Sequence, residues 1–445
     1  MLEANGQRLR ISVEQLATFS QRGPNGAVTR LPWTTEDRAA VQWLDQQLKD
    51  LGCQTEIDSI GNLWGKWDVG ASSSIVIGSH RDSVPLGGAY DGALGVLGAL
   101  ETVRILKAAG YRPQHNIEVV AWNDEEGARF GTTIFGSRLY VGALTPQSVA
   151  GLQDAEGLTL GAAAQNFGYS VESMRAAQDL NRIRAYFELH IEQGPILERE
   201  QQAIGIVEGV GAILQVRVDL RGVRLHAAYS GIDRRDPVFT AGQALRELER
   251  LVSAANKDLH NAVIGATVGT IWPSSNLINV VPESFSFTID LRGPDPVVAN
   301  HVLSEFESAL QQISEKNHTE WTVSWINDHT TFSGGGTREK VIAFNDDLKT
   351  IIKDVARDLH YSTRSMYSWA GHDAMAMAPR VPTAMIFVPS SKGLSHTSAE
   401  YTLEDDLTRG ANVLVNALIG ADQERQIIHD WVGPILEAGV GEGHS

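Results

Sequence analysis

The stretch "SIVIGSHRDSVPLGGAYDGALGV", residues 74–96, reads as a strand, a glycine-rich loop and the start of a helix. Its first part is a short apolar run, and a helical pattern of apolar residues begins at Leu94. Between them, His80, Asp82 and Asp91 place polar groups where the strand ends. A strand that is apolar on both faces and leads into a helix is typical of a parallel sheet covered by helices.

The same kind of apolar run recurs further along the chain. Helical patterns such as Leu94–Ala109 and Asp346–Leu359 separate the runs. The further runs are "IEVVAW" (117–122), "AYFEL" (185–189) and "TAMIFV" (383–388). Strands that alternate with helices in this way predict an α/β fold with a mostly parallel sheet sandwiched by helices.

The middle of the chain follows a different pattern. In "ILQVRVDLRG" (213–222) and in "SFSFTIDLR" (284–292), apolar and polar residues alternate. A period of two is typical of an antiparallel sheet with one buried and one open face. Two amphipathic helices, near 237–254 and 296–314, are placed to cover the buried face.

The length of the chain favours two domains. Its 445 residues exceed the size at which one hydrophobic core usually stops growing. We therefore predict a discontinuous α/β domain, residues 1–210 and 327–445, with a smaller α+β domain inserted at residues 211–326. The glycine-rich "SGGGTREK" (333–340) is predicted to be a flexible loop or hinge.

Composition excludes several classes of protein. The 37 basic and 54 acidic residues give a net charge of −17, which argues against a nucleic-acid partner because such a partner needs a concentrated basic face. The single cysteine, Cys53, allows no intrachain disulfide and suits a reducing compartment. The polar start "MLEANGQRLR" lacks the apolar core of a signal peptide, and no run approaches the roughly 18 apolar residues of a membrane span. We expect a cytoplasmic protein with no membrane partner.

Residues that bind metals follow each of the apolar runs. They are His80, Asp82 and Asp91 after the first, Glu125 and Glu126 after the second, His190 at the end of the third, and His396 after the fourth. The loops beyond the carboxyl ends of parallel strands form one crevice, so we expect these side chains to meet there. Imidazoles and carboxylates without cysteine suit Zn, Mn, Co or Ni. Because one ion needs fewer ligands, a pair of ions about 3.5–4 Å apart is the better match.

Each of these signals is weak when taken alone. A single histidine near a strand end is more often a hydrogen-bonded structural residue, and an acidic pair is more often a solvated turn. The metal hypothesis rests on all the candidates falling at the same end of one predicted sheet.

The ordered motifs of this chain resemble those of the binuclear-metal amidohydrolases related to aminopeptidases. The motifs are "GSHRDSVPLGGAYDGALGV", "WNDEEGARFG", "FELHIEQGPILE", "NVVPESFSFTIDLR", "WAGHDA" and "FVPSSKGLSHTSAE". That group includes N-carbamoyl-L-amino-acid amidohydrolases, allantoate amidohydrolases and β-ureidopropionases. The resemblance extends over about residues 12 to 420.

The resemblance implies a role for each candidate metal residue. One ion would be held by His80, Asp91 and His190, and the other by Asp91, Glu126 and His396, with Asp91 as the bridge. Asp82 matches the carboxylate that orients His80, and Glu125 matches the general base.

The resemblance also implies substrate contacts. Gln193, His226, Asn279 and Arg292 match substrate-binding positions, and His226 would donate to the developing oxyanion. The last three lie in the inserted domain, which in the family is a lid and forms a dimer, so we expect a homodimer. Without the resemblance, Arg292 reads as a solvated arginine, and Asn279 and Gln193 read as turn residues.

Two departures from the family pattern stand out. Where members usually have His-Ala-Gly-Thr-Thr-Pro-Met, this chain has "HAAYSGID" (226–233). Trp369 replaces a common glycine before "AGHDA", within which His372 and Asp373 are interpreted as structural. Both changes indicate an altered substrate pocket.

Together these features predict metal-dependent hydrolysis of a linear amide or ureido C–N bond in a small carboxylate substrate. An N-carbamoyl-L-amino acid, giving the amino acid, CO2 and ammonia, is the leading candidate, followed by allantoate or a 3-ureidopropanoate. A dipeptidase and a non-catalytic ligand-binding protein are the alternatives from other classes.

Overall fold

The computed structural model describes residues 1–21, 23–177, 179–229, 231, 234–257, 264–293, 296–327 and 342–424. The described residues fall into two compact units. The first unit contains the described residues of 1–209 and 342–424, and the inserted unit contains those of 210–327. Stretch 333–340, predicted to be a loop, lies outside the described residues.

The first unit is built on one sheet. Its strands are β1 Gln54–Ile57, β2 Leu63–Trp67, β3 Ser74–His80, β4 Asn116–Trp122, β5 Ile183–Ile191, β6 Ile204–Val210, β14 Ile342–Ala343, β15 Thr363–Ser368 and β16 Thr383–Val388. The strand order is β1-β2-β4-β3-β5-β16-β6-β14, and β15 also pairs with β6. The central strands β4, β3, β5 and β16 are parallel. The predicted α/β class with a mostly parallel sheet is confirmed.

Helices cover both faces of this sheet. They are α1 Gly6–Ala17, α2 Thr35–Asp50, α3 Ala93–Ala108, α4 Phe135–Tyr140, α5 Pro146–Val149, α6 Leu160–Asn166, α7 Ile196–Glu200, α10 Asp346–Asp358, α11 Asp373–Met377 and α12 Glu404–Gln423. Leu189 of β5 belongs to the core on the side of α3 and α12. The next residue back, Glu188, accepts the backbone N–H of Ala374 in α11 at 2.8 Å. Because adjacent residues of a strand point to opposite faces, α3 and α11 lie on opposite sides.

The inserted unit is an antiparallel sheet with two long helices. Its strands are β7 Ala212–Arg221, β8 Leu225–His226, β9 Gly265–Thr267, β10 Ile271–Pro273, β11 Val280–Val281, β12 Ser284–Gly293 and β13 Glu320–Asn327, and its helices are α8 Pro237–Lys257 and α9 Pro296–Lys316. The main sheet has the order β10-β12-β7-β13, with β9 also paired to β12, and β8 pairs with β11. Val218 of β7 and Phe287 of β12 face each other in the core. Both strands occur where the alternating pattern predicts them.

The sequence predicts that no segment of this chain crosses a membrane. Among the described residues, no helix is both long enough and apolar enough to cross a bilayer. Cys53 is a buried free thiol.

Candidate metal centre

The parallel strands carry the predicted metal residues to one end of the sheet. His80 is the last residue of β3, and His190 is the last but one of β5. Glu126 follows β4, and His396 follows β16. Asp91 comes immediately before Gly92, the residue that caps α3. The side chains therefore converge because each one follows a strand of the same parallel set.

Asp91 lies at the middle of this cluster. Its Oδ1 is 3.1 Å from Nε2 of His190 and 3.5 Å from Nε2 of His80. Its Oδ2 is 3.2 Å from Nε2 of His396, which in turn is 3.3 Å from Oε2 of Glu126. Two donor groups with ligand atoms within 4.8 Å of one another therefore share Asp91: His80–Asp91–His190 and Asp91–Glu126–His396.

The donor atoms of these groups fit divalent cations. Oδ1 of Asp91 and Oε1 of Glu126 are buried and accept no hydrogen bond within the described residues. Buried carboxylate oxygens without a partner are costly unless a cation binds them. Imidazole nitrogens and carboxylate oxygens together are the ligands that Zn, Mn, Co and Ni accept. The residues present thus fit a metal centre.

Charges within the cluster shift the pKa of its members. Burial alone would raise the pKa of Asp91, but the neighbouring imidazoles of His190, His396 and His80 outweigh it and hold the pKa well below the usual range. The hydrogen bond to Asp91 raises the pKa of His396 to about 9. Burial, aided by the Asp91 charge, raises the pKa of Glu126 to about 8. These opposite shifts follow from packing carboxylates and imidazoles together in one buried cluster.

Another possible donor group, Glu188–His190–His372, shares His190 with the first group. The Glu188 carboxylate already accepts the Ser79 hydroxyl at 2.6 Å, the Tyr186 hydroxyl at 3.2 Å and the Ala374 N–H at 2.8 Å. Its oxygens are engaged in bonds that join β3, β5 and α11, so Glu188 is best explained as a structural carboxylate.

His372 and Asp373 pack beneath the centre. Nε2 of His372 is 2.7 Å from the Ser368 hydroxyl, and the His372 ring meets the His190 ring edge to face with centroids 4.5 Å apart. Asp373 is fully buried and accepts the Ser137 hydroxyl at 2.5 Å. His372 thus packs against His190 and Asp373 holds α11 against α4, and the structural role of both residues stays a prediction.

The Asp82 carboxylate contacts the backbone of the loop after β4. Its Oδ1 is 3.6 Å from Nδ1 of His80, a distance too long for a hydrogen bond. Its carboxylate instead accepts the backbone N–H groups of Glu125 at 3.0 Å and Glu126 at 3.1 Å. Asp82 thereby fixes the loop after β4 against the loop after β3.

The Glu125 carboxylate is buried but uncommitted. Glu125 is 7% exposed, and no hydrogen bond in the described part of the chain uses its side chain. Its Oε2 lies 4.0 Å from Nε2 of His80. Burial, with a smaller contribution from Glu126, raises the pKa of Glu125 well above its usual range. Such a group is suited to exchanging protons beside the metal ligands.

Strained backbone positions accompany the centre. Asp124, Gln193 and His396 each have φ of 56°, a left-handed value that non-glycine residues seldom adopt. The Gln193 side chain uses Nε2 to donate to Oδ2 of Asp91 at 2.8 Å, while its buried Oε1 has no partner among the described residues. Gln193 therefore contacts the shared carboxylate directly.

Several supporting residues escape sequence reasoning. Arg81 is buried between His80 and Asp82 in the chain, and its Nε donates to Asp37 at 2.8 Å. Glu400 accepts backbone N–H groups of the loop that carries Asp91. The sequence offers a weak signal for Glu400, which ends the quoted motif "GLSHTSAE", but no pattern reveals its partners.

In the inserted unit, two predicted substrate residues are neighbours. His226 of β8 pairs with Val280 of β11, and the carbonyl of Asn279 accepts the N–H of Ala227 at 2.9 Å. Nδ1 of His226 accepts the N–H of Ala228 at 3.2 Å. Both His226 and Asn279 are exposed. Residues 230, 232 and 233 of the divergent "HAAYSGID" stretch lie outside the described residues.

Arg292 is engaged by a carboxylate of its own strand. Its Nε donates to Oδ1 of Asp290 at 2.8 Å, and Nη2 donates to Oδ2 at 3.0 Å. The Arg292 side chain is 37% exposed on the polar face of β12. The guanidinium is therefore held in a defined direction by a two-point contact.

Known proteins resemble this chain along almost its whole length. Residues 76–419 match the model of peptidase family M20/M25/M40. The chain is 32% identical to an N-carbamoyl-L-amino-acid amidohydrolase of Pseudomonas sp. (strain NS671), over 93% of this chain and 97% of that one. It is also 32% identical to the allantoate amidohydrolase of Escherichia coli (strain K12), over 88% and 92%.

A solved structure shares the fold. The crystal structure of an amidase of the hydantoinase/carbamoylase family from Burkholderia multivorans matches with a TM-score of 0.82 and 32% identity, covering 95% of this chain and 99% of that one. These relatives and the donor groups together define an amidohydrolase whose buried site fits divalent metal ions. The chain belongs to peptidase family M20/M25/M40. The predicted family resemblance is confirmed.

Proposed function

We propose that this amidohydrolase cleaves the ureido C–N bond of a small carboxylate substrate, with N-carbamoyl-L-amino acids as the leading class. The relatives named above that act on N-carbamoyl-L-amino acids and on allantoate support a ureido substrate. The observation that carries the proposal is the carboxylate of Asp91 shared by two donor groups, with the uncommitted carboxylate of Glu125 beside them.

We propose that the centre holds two divalent ions drawn from Mn, Zn, Co and Ni. His80 and His190 would hold one ion, Glu126 and His396 the other, and Asp91 would bridge them. When bound, such ions lower the pKa of a water molecule and polarise a substrate carbonyl. The remaining chemistry belongs to side chains of the protein.

Glu125 is the residue we assign to proton transfer. Its carboxylate accepts a proton from the attacking water, whose oxygen joins the carbamoyl carbon as the bond from that carbon to the amino-acid nitrogen breaks. The same proton passes to the departing nitrogen, and the released carbamate separates into CO2 and ammonia. Asp82 holds the Glu125 backbone during these steps through its hydrogen bond of 3.0 Å.

Residues of the inserted unit are assigned to substrate binding. Because Nδ1 of His226 accepts an N–H, the neutral imidazole carries its proton on Nε2 and can donate it to a developing oxyanion. Asn279 and Arg292 are assigned to the substrate carboxylate, with Arg292 offering planar donors. In the first unit, Gln193 is assigned to the ureido group because its buried Oε1 lacks a partner among the described residues.

We also propose that the inserted unit serves as a lid and forms a homodimer. Leu277 and Ile278 are 60% and 102% exposed, and Ile271 and Trp272 of β10 are 51% and 43% exposed. Large apolar side chains left exposed within one stretch of chain, residues 271–278, favour a surface that a partner covers. Light scattering should give the mass of a dimer, and Ile278→Asp should give that of a monomer. A monomeric mass for the unaltered protein would contradict this assignment.

A substrate panel tests the proposed activity. N-carbamoyl-L-amino acids, allantoate, 3-ureidopropanoate and dipeptides are supplied to the metal-loaded protein, and ammonia and amino acid are measured together. Equal release of ammonia and amino acid from a carbamoyl substrate is expected. Amino-acid release from dipeptides without ammonia would indicate a dipeptidase, and binding without turnover would indicate a non-catalytic protein.

A further inference from the structure

We propose that Glu400 is a positioning residue that ties the Asp91 loop to the His396 loop and thereby sets the affinity of the metal centre. The inference rests on the ligands assigned under the proposed function. Glu400 lies four residues after His396, and it is 6% exposed.

One oxygen of Glu400 holds the backbone of the shared carboxylate. Oε1 accepts the N–H of Tyr90 at 2.8 Å and the N–H of Asp91 at 3.1 Å. These two bonds fix the last turn of the loop before α3. The direction of the Asp91 side chain therefore depends on Glu400.

The other oxygen holds the loop that carries the last imidazole. Oε2 of Glu400 accepts the hydroxyl of Ser395 at 2.8 Å, and that hydroxyl is also 3.1 Å from Oδ2 of Asp91. Ser395 directly precedes His396, whose side chain is 50% exposed and whose φ is 56°. The bond to Ser395 therefore adds a second tie between the two loops, beside the contact of the His396 imidazole with Oδ2 of Asp91 at 3.2 Å.

The chain leaves room for this carboxylate at a glycine. A Cβ atom on Gly88 would lie 2.1 Å from Oε1 of Glu400 and 2.2 Å from its carboxyl carbon. Any larger residue at this position would displace the Glu400 side chain. The close approach of the loop to Glu400 is thus built into the sequence.

Glu400 acts on the centre through geometry and is not itself a ligand. Among the described residues, the candidate donor groups that contain Asp91 do not include Glu400. Both of its oxygens accept hydrogen bonds from the protein. Outer residues that orient metal ligands typically change metal affinity about 10–100-fold when they are removed.

The experiment distinguishes the effect of side-chain length from the effect of negative charge at position 400. Glu400→Gln keeps the length of the side chain and an oxygen that can accept the two N–H groups, whereas Glu400→Asp keeps the charge but is one methylene shorter. Zn titration of the metal-stripped protein by calorimetry measures affinity, and elemental analysis measures retained ions. We expect Glu400→Asp and Glu400→Ala to weaken the binding of at least one ion about 10–100-fold, and Glu400→Gln to stay close to the unaltered protein.

Asp422 provides a matched control in the same unit. It is 1% exposed and accepts N–H groups from Gln114 and His115, both at 2.9 Å, and the Tyr111 hydroxyl at 2.8 Å. Asp422→Ala therefore removes the same kinds of hydrogen bond as Glu400→Ala. We expect both variants to lower the melting temperature of the metal-free protein, and only Glu400→Ala to weaken Zn binding.

Gly88→Ala tests the same contact while leaving Glu400 in place, and it should also weaken Zn binding. Three results would overturn the inference. The first is unchanged Zn affinity in Glu400→Asp. The second is weaker Zn binding in Glu400→Gln than in Glu400→Asp, and the third is equally weakened Zn binding in Asp422→Ala and Glu400→Ala. Asp91→Ala distinguishes failure of the proposed metal centre from failure of the role proposed for Glu400. If Asp91→Ala retains both ions, the metal centre itself is wrong; if it loses them while Glu400→Asp does not, only the role of Glu400 is wrong.

Discussion

The carboxylate of Asp82 accepts the backbone N–H of Glu125 at 3.0 Å. This bond, with its neighbour to the next N–H at 3.1 Å, joins the loop after β3 to the loop after β4. The first loop carries Asp91, a proposed metal ligand, and the second carries Glu125, the proposed proton-transfer group. The Asp82 carboxylate thus fixes the distance between the loop that carries Asp91 and the loop that carries Glu125.

Replacing Asp82 should therefore harm both stability and catalysis. Asp82→Ala leaves two N–H groups without their acceptor, and each buried unsatisfied group costs about 1–3 kcal/mol. We expect a lower free energy of unfolding in urea and a lower kcat, with Asp82→Asn milder because it keeps one acceptor oxygen. Unaltered stability and kcat in Asp82→Ala would show that the two loops hold their positions without this carboxylate.

The acidic pair should separate into two phenotypes. Glu125→Gln should retain metal and fold but lose about 10²–10⁴ in kcat, which is the usual contribution of general acid–base catalysis. Glu126→Gln should instead lose metal, because its carboxylate lies 3.3 Å from His396 in a donor group. Metal analysis and steady-state kinetics on both variants check this. Reversed phenotypes would mean that the roles within the pair are exchanged.

Gly92 should tolerate no side chain. Its φ is +64°, and a Cβ atom there would lie 2.3 Å from Cε1 of His80. Gly92→Ala should displace this imidazole and reduce metal retention. Gly110→Ala is a matched control because Gly110 has φ of +66° and nothing within 4 Å of the added atom. Both substitutions strain the backbone. Equal metal retention in the two variants would therefore contradict the prediction that a side chain at Gly92 displaces the His80 imidazole.

Arg292 should control recognition of the substrate carboxylate. Loss of a charge-assisted anchor for a bound carboxylate costs about 2–5 kcal/mol, so Arg292→Ala should lower kcat/KM by roughly two to three powers of ten with metal content unchanged. Arg292→Lys should recover only part, because it has charge without planar donors. An amidated substrate should be poor for the unaltered enzyme but no worse for Arg292→Ala. Full activity of Arg292→Ala on the free carboxylate would exclude this role.

Hydrophobic patterns predict most of the fold. The apolar run at 383–388 corresponds to β16, and the alternation at 284–292 corresponds to β12. A strand buried on both faces needs a continuous apolar sequence, whereas a strand buried on one face needs an alternating one. The positions of His80 and His190 at strand ends follow from the same patterns. A parallel sheet then gathers such residues at one edge.

Side-chain partners are what the sequence leaves open. Nothing in residue order reveals that Glu400 reaches the N–H of Asp91, since these residues are 309 positions apart. In the same way, Arg292 is recognisable as a polar-face residue, but its contact with Asp290 depends on rotamers that no periodicity encodes. Pairings of this kind are decided by tertiary packing.

Metal removal and restoration connect the centre to the activity. We expect the metal-stripped protein to release no ammonia from an N-carbamoyl-L-amino acid, and one of Mn, Zn, Co or Ni to restore release. His396→Ala should retain about one ion, because the group of His80 and His190 keeps all its donors.

Elemental analysis of Asp91→Ala, loaded with Zn or Mn and freed of unbound metal, tests the shared metal centre most directly. Because both donor groups contain Asp91, we expect this variant to retain neither ion, whereas the unaltered protein should retain about two per chain. Circular dichroism identical to that of the unaltered metal-free protein establishes that the variant is folded. Two fully retained ions in folded Asp91→Ala would contradict the shared centre.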